Sequence, residues 1–210
     1  MVPGGAIGWG DVAPAMTVAA EATIADVDAY FPAVSSMVPL VPARLLESRA
    51  DAAPTIDGQF SGIGVRAAGS VTELVVAGRG GVPADASAVV LNVTVTGAQD
   101  PGFVTVWPCG TAMPTASNLN YDTGWTIPNA VVAKIGAGGK VCLFTMARTH
   151  LIADVNAYFP AVSSMGSTVS LVPARLLESR SGVGGTVDWK FTGIGVRAAG
   201  SVTELVVAGR

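Results

Sequence analysis

Few of the 210 residues could do chemistry: two cysteines, one histidine, a scatter of acids and a small set of aromatics. Cys109 and Cys142 are the only cysteines. A disulfide between them would close a loop of about 30 residues, stabilise the fold by about 3 kcal/mol and imply an oxidising compartment. The alternative is two free thiols, one of them buried. With a single histidine the pair is no zinc site. His150 stands near Asp154, but a nucleophilic triad also needs a serine. Ser117 lies in Ala116-Ser117-Asn118, not in a Gly-x-Ser-x-Gly elbow. His150 therefore reads as a histidine at a strand start, and no catalytic residue is assigned. Asp26, Asp28 and Asp154 on strand positions are weak calcium candidates, since carboxylate oxygens are what that ion takes. Facing water or bonding a neighbouring turn is the plainer role, so no metal and no cofactor is expected. Trp125, in the loop Asp122-Thr123-Gly124-Trp125-Thr126, and Tyr121 are candidates for stacking on a sugar ring. Trp107 suits a core. The glycosylation sequon Asn92-Val93-Thr94 arises easily from β-type alternation and carries little weight.

Composition narrows the classes further. Half of the chain is hydrophobic and 13% is charged, against roughly 25% charged in an average soluble domain. A chain this apolar, with net charge -3, can bury enough surface to fold, so disorder is excluded. With 12 Lys+Arg against 15 Asp+Glu, no basic excess exists to neutralise phosphates, which argues against nucleic acid. No stretch reaches the roughly 18 to 20 apolar residues of a membrane span. The start, Met1-Val2-Pro3-Gly4-Gly5-Ala6-Ile7, lacks the basic opening and apolar core of a signal peptide.

Internal repetition organises the rest. Leu40 to Arg49 recurs letter for letter at Leu171 to Arg180, an offset of 131. Phe60 to Arg79 recurs at Phe191 to Arg210 with one change, Ser61 to Thr192. Thr23 to Met37 recurs at Leu151 to Met165 with two changes, Thr23 to Leu151 and Asp28 to Asn156, at an offset of 128, with three residues inserted after Met165. Residues 1–37 thus read as the last third of a repeat unit, 38–168 as one complete unit and 169–210 as the first third of another. A period near 131 has the size of a domain rather than of a solenoid repeat. A tandem array of which this chain is a slice is the expected arrangement. In that case a missing leader says nothing about localisation. The alternative is that the two partial units pair to rebuild one that lacks its middle. Pro14 stands where Cys142 would fall in the first partial copy, so the disulfide is not expected in every unit.

The elements that must position these residues are strands. From Leu91 to Thr96 the chain alternates strictly, Leu91, Val93 and Val95 against Asn92, Thr94 and Thr96. The turn formers 97–102 and the run Phe103 to Trp107 then predict a hairpin. A second hairpin is predicted from Ala130–Ile135 and Lys140–Thr145 around Gly136, Gly138 and Gly139. Leu151 to Phe159 alternates again, Gly62–Arg66 and Val71–Ala77 are further expected strands, and Arg44–Ser48 and Ser117–Tyr121 expected short ones. The fold class that follows is all-β. A β-sandwich of about eight or nine short antiparallel strands per unit is expected, with a β-trefoil or other β-barrel as the alternative.

Pro42-Ala43-Arg44-Leu45-Leu46-Glu47-Ser48-Arg49, Gly80-Gly81-Val82-Pro83, Ala88 to Thr94, Gly102 to Pro108, Ala116 to Tyr121 and Ile152 to Val155 stand here in a particular order. That order resembles the tandem β-rich repeat domains of actinobacterial secreted and cell-surface proteins. The resemblance covers the complete unit and both partial ones. It departs at Glu47 and Glu178, where aspartate is common. It implies export and supplies no catalytic residues. The expected function is a non-catalytic extracellular repeat module, acting as spacer, adhesion or display unit of a larger surface or secreted protein. A carbohydrate-binding module accessory to a wall- or polysaccharide-acting enzyme is the alternative. Expected partners are a cell-wall or extracellular glycan or other surface proteins, with association through the edges of incomplete units.

Overall fold

The structure is a computed structural model describing residues 24–30, 37–161 and 169–210; the side chains of 24–30 and 169–170 lie outside the described residues. Strands follow in the order β1 (Ile24–Tyr30), β2 (Val38–Glu47), β3 (Ser70–Val75), β4 (Ala88–Thr96), β5 (Gly102–Pro108), β6 (Leu119–Tyr121), β7 (Thr126–Lys134), β8 (Lys140–Thr145), β9 (His150–Phe159) and β10 (Val169–Glu178). No α-helix occurs among the described residues. Residues 26–175 form one compact unit; residues 176–210, with Ile24 and Ala25, form another.

The larger unit is a β-sandwich of two four-stranded antiparallel sheets, β2-β9-β4-β7 and β3-β8-β5-β6. A separate two-stranded sheet pairs β1 with β10. The alternation of β4 explains its place. Leu91, Val93 and Val95 are fully buried and meet Leu74 of β3, Val104 and Val106 of β5 and Leu143 of β8 in one core. Asn92, Thr94 and Thr96 lie half-buried on the opposite face. Full burial of each such Leu or Val contributes about 1.5–3 kcal/mol.

Neither predicted hairpin forms. All nine residues of β4 pair with β7, from Ala88 opposite Lys134 to Thr96 opposite Thr126, and its other edge pairs with β9. With both edges of β4 taken, β5 must cross into the second sheet. The connection is fastened at the crossing: Ala98 is buried, its carbonyl accepts from Gly124 N, and Gln99 N donates to Arg148 O. β7 and β8 likewise lie in different sheets. Gly136 sits in their arch, where a Cβ would fall 2.2 Å from the Cys109 carbonyl oxygen, so only glycine fits this approach. Gly62–Arg66 is no strand, because Gly62 (φ 62°) and Gly64 (φ 82°) take left-handed conformations that end an extended run. β2 begins at Val38, earlier than expected, and ends at Glu47.

β2 and β9, the first and last strands of the complete unit, are neighbours. Val38 stands opposite Tyr158 and Glu47 opposite Ile152. The chain therefore enters and leaves this unit side by side at one end of one sheet.

Candidate functional site

The two cysteines meet. Cys109 follows β5 and Cys142 lies in β8, and β5 and β8 pair with Trp107 opposite Cys142. That register puts both sulfurs on one face, and they are bonded, closing a 33-residue separation. Trp107, Cys109, Cys142 and the partly buried Phe144 make a small second core on this outer face of the sheet. Segment 109–118 is tied to β5 beside it. Trp107 Nε1 donates to Thr111 O (3.2 Å), Thr105 Oγ1 to Ala116 O (2.6 Å) and Val106 N to Asn118 Oδ1 (2.7 Å).

Trp125 and Tyr121 are not brought together as a stacking surface. Tyr121 is 5% exposed; its hydroxyl lies 2.8 Å from Thr145 Oγ1 and accepts from Ala147 N. Its place in the sandwich core corrects the expectation of a sugar-facing ring. Trp125 is 53% exposed. It closes a turn in which its N–H donates to Asp122 O, Thr123 N to Asp122 Oδ1 and Gly124 N to Ala98 O.

The acids are held in internal clamps. Asp154 Oδ1 accepts from Arg44 Nε at 2.9 Å and its Oδ2 from Arg44 Nη2 at 3.4 Å. Asp26 and Asp28 lie on β1, whose side chains are outside the described residues. Among the described residues, no three His, Cys, Asp or Glu gather where a metal could be held. Glu47 is fully buried and accepts from Arg44 Nη1 (2.9 Å), Arg49 Nε and Nη2 (both 2.8 Å) and Arg49 N (3.0 Å). Burial pushes its carboxyl up, but the bonds from Arg49 and the two guanidinium charges more than offset that, and it is held below the usual range. Glu178 repeats the arrangement with Arg180.

Sequence reasoning missed two features. Arg79, at the end of the second repeated block, has a buried side chain. It binds Asp57 through Nε (2.6 Å) and Nη2 (2.7 Å) and donates to the carbonyls of Val75, Leu45 and Gln59. Its guanidinium lies 5.2 Å from the Phe60 ring centroid. In the other unit Arg210, Asp188 and Phe191 repeat it. The second feature is a contact of Ser48 Oγ with His150 Nδ1 at 2.9 Å. Ser48 is fully buried and its oxygen also accepts from Leu151 N, so the hydroxyl fastens β2 to β9 and no substrate can reach it.

The Asp57 clamp has a pH signature. Bonds from Arg79 hold the Asp57 carboxyl at about 2, below the roughly 3.9 of a free aspartate. A depressed folded-state value means stability that is complete above about pH 4 and lost as pH falls toward about 2. The urea midpoint should decline across that window, and Asp57→Asn should be weaker at neutral pH and flatter below pH 4. An equal slope in both proteins would remove this clamp as the cause.

No protein-family model matches the chain, and no curated protein and no solved structure matches it.

Proposed function

We propose that the chain is a non-catalytic extracellular repeat module, a spacer, adhesion or display unit of a larger surface or secreted protein. The observation that carries this is the closure of the complete unit: its first and last strands pair antiparallel, with Val38 beside Tyr158. A unit that receives and returns the chain at one place can be repeated without altering its fold. Its charged groups support the same role, because Glu47, Asp57 and Asp154 fasten the unit internally. The buried disulfide favours an oxidising exterior. The test is a thiol titration of the denatured, unreduced chain after export behind a secretion leader. No free thiol is the expected result; two titratable thiols would contradict the extracellular assignment.

A second reading, a carbohydrate-binding module accessory to a wall- or polysaccharide-acting enzyme, is favoured by the exposed indole of Trp125. Retention on an insoluble polysaccharide that Trp125→Ala abolishes would support it, and no retention on any polysaccharide would sink it.

A further inference from the structure

The two copies of the repeat are nearly identical, and their difference is concentrated in one place. Ten residues before it and twenty after it match with one exception, yet 50–59 (ADAAPTIDGQ) and 181–190 (SGVGGTVDWK) share only Thr55/Thr186 and Asp57/Asp188. Those two retained residues are the ones that hold the loop. Thr55 Oγ1 donates to Gln59 O and Thr186 Oγ1 to Lys190 O. Asp57 binds Arg79, and Asp188 binds Arg210. A constant frame thus carries a loop free to differ, the usual arrangement of a binding loop on a rigid scaffold.

In the second copy the differing residues build a surface. Gly58 (φ 75°) of the complete unit is replaced by Trp189, which keeps the left-handed conformation at φ 62°. Bulky residues rarely adopt it. The turn is nevertheless the same: Trp189 N donates to Thr186 O as Gly58 N does to Thr55 O. Burial does not repay this strain, because Trp189 is 76% exposed. Pro54 has meanwhile become Gly185. A Cβ there would fall 2.6 Å from indole atoms Cε3 and Cζ3, so glycine makes room for the ring to lie against the loop. The indole lies against Gly185 and is otherwise exposed, and Lys190, next in the chain, is exposed with its Nζ 4.0 Å from Asp188 Oδ2. A strained residue kept on display points to a functional surface.

We propose that the loop Ser181–Lys190 is a binding loop whose open indole face at Trp189 stacks on a pyranose ring of a polysaccharide, with Lys190 Nζ meeting hydroxyls at the ring's rim. A pyranose offers a C–H face to the negative face of the indole and polar groups at its edge. One aromatic face with one amine fits one sugar residue. It falls short of the roughly 800 Å² per side of a stable protein contact. The inference deepens the adhesion role in the proposed function and rests on it.

Trp189→Gly tests it cleanly, because it restores the residue that the complete unit carries at this left-handed position. The full chain is applied to insoluble chitin, cellulose and peptidoglycan sacculi, with Trp9→Ala/Trp125→Ala as the background, so that neither Trp9 nor Trp125, the other exposed indole among the described residues, contributes. The expected result is retention of this background on at least one polymer, eluted by soluble oligosaccharides of that polymer. Adding Trp189→Gly should weaken it about tenfold or more without lowering the thermal midpoint. Equal retention with and without Trp189 overturns the proposal. So does retention lost in Trp9→Ala/Trp125→Ala alone, which would assign binding to those residues instead. Retention that only added protein can displace overturns it in favour of a protein partner. If the chain is retained on no polymer while its thiols are oxidised after export, the sugar platform falls and the extracellular module stands.

Discussion

Arg79→Ala should destabilise the complete unit by about 3–5 kcal/mol, because it removes a buried guanidinium and takes the donor from three carbonyls, at about 1–3 kcal/mol for each buried group left unsatisfied. The side chain is 4% exposed and bridges three segments. Its loss strands the carbonyls of Leu45, Val75 and Gln59 without their donor and leaves Asp57 without its bidentate partner. It also empties the space over Phe60. Arg79→Lys should recover little, because an ammonium cannot reproduce the planar fork that binds Asp57 at two points. Asp57→Asn should cost less than Arg79→Ala, since Asp57 is 29% exposed and water can replace some of what it loses. Urea unfolding monitored by circular dichroism measures all three. A midpoint in Arg79→Ala equal to that of the parent chain would mean that the clamp is decoration.

The second large effect is expected from the disulfide. Removing a cross-link that spans 33 residues returns about 3–4 kcal/mol of loop-closure entropy to the unfolded chain. The bond also holds Cys109 against β8, and with it the start of segment 109–118 beside Trp107. Cys109→Ala/Cys142→Ala should therefore lower the unfolding midpoint, and Trp107 should become more exposed to a quencher than in the parent chain. Reductant should do the same to the parent chain and nothing to the variant. A midpoint that reductant leaves unmoved would contradict the stabilising role.

Much of the fold could be read locally. The alternation of Leu91 to Thr96 and of Leu151 to Phe159 placed β4 and β9, because each has one face in the core and one outside. Strand partners could not be read that way. β5 is buried on both faces from Val104 to Pro108, and its continuous run was a sign that it leaves the half-exposed sheet of β4. Leu119 and Tyr121 fall on the same face of a strand, so the burial of Tyr121 was available from its neighbour. Ser48 and His150 are 102 residues apart, and only the register of β2 against β9 brings them together. The plainest limit is SVTELV, which occurs twice. At Ser70–Val75 it is β3, because β8 pairs with it in full register. At Ser201–Val206 the same six residues form no strand. Val202 and Val206 are there 65% and 61% exposed. No local rule could separate two identical segments; the partner strand decides.

The complete unit is closed by its first and last strands and returns the chain where it received it. Stretching a single full-length chain by its two ends tests this most directly. Once the outer β1–β10 pair has opened, force would reach the unit at the Val38 and Phe159 ends of an antiparallel pair, so the β2–β9 bonds should open in succession, like a zipper, at low force. Full extension of residues 38–159 outside the disulfide loop should release about 300 Å, at roughly 3.4 Å per residue. Reductant should lengthen that step by about 110 Å, the 33 residues the disulfide withholds. A single high-force rupture, the mark of strands sheared in parallel, or a step length that reductant leaves unchanged, would contradict the account.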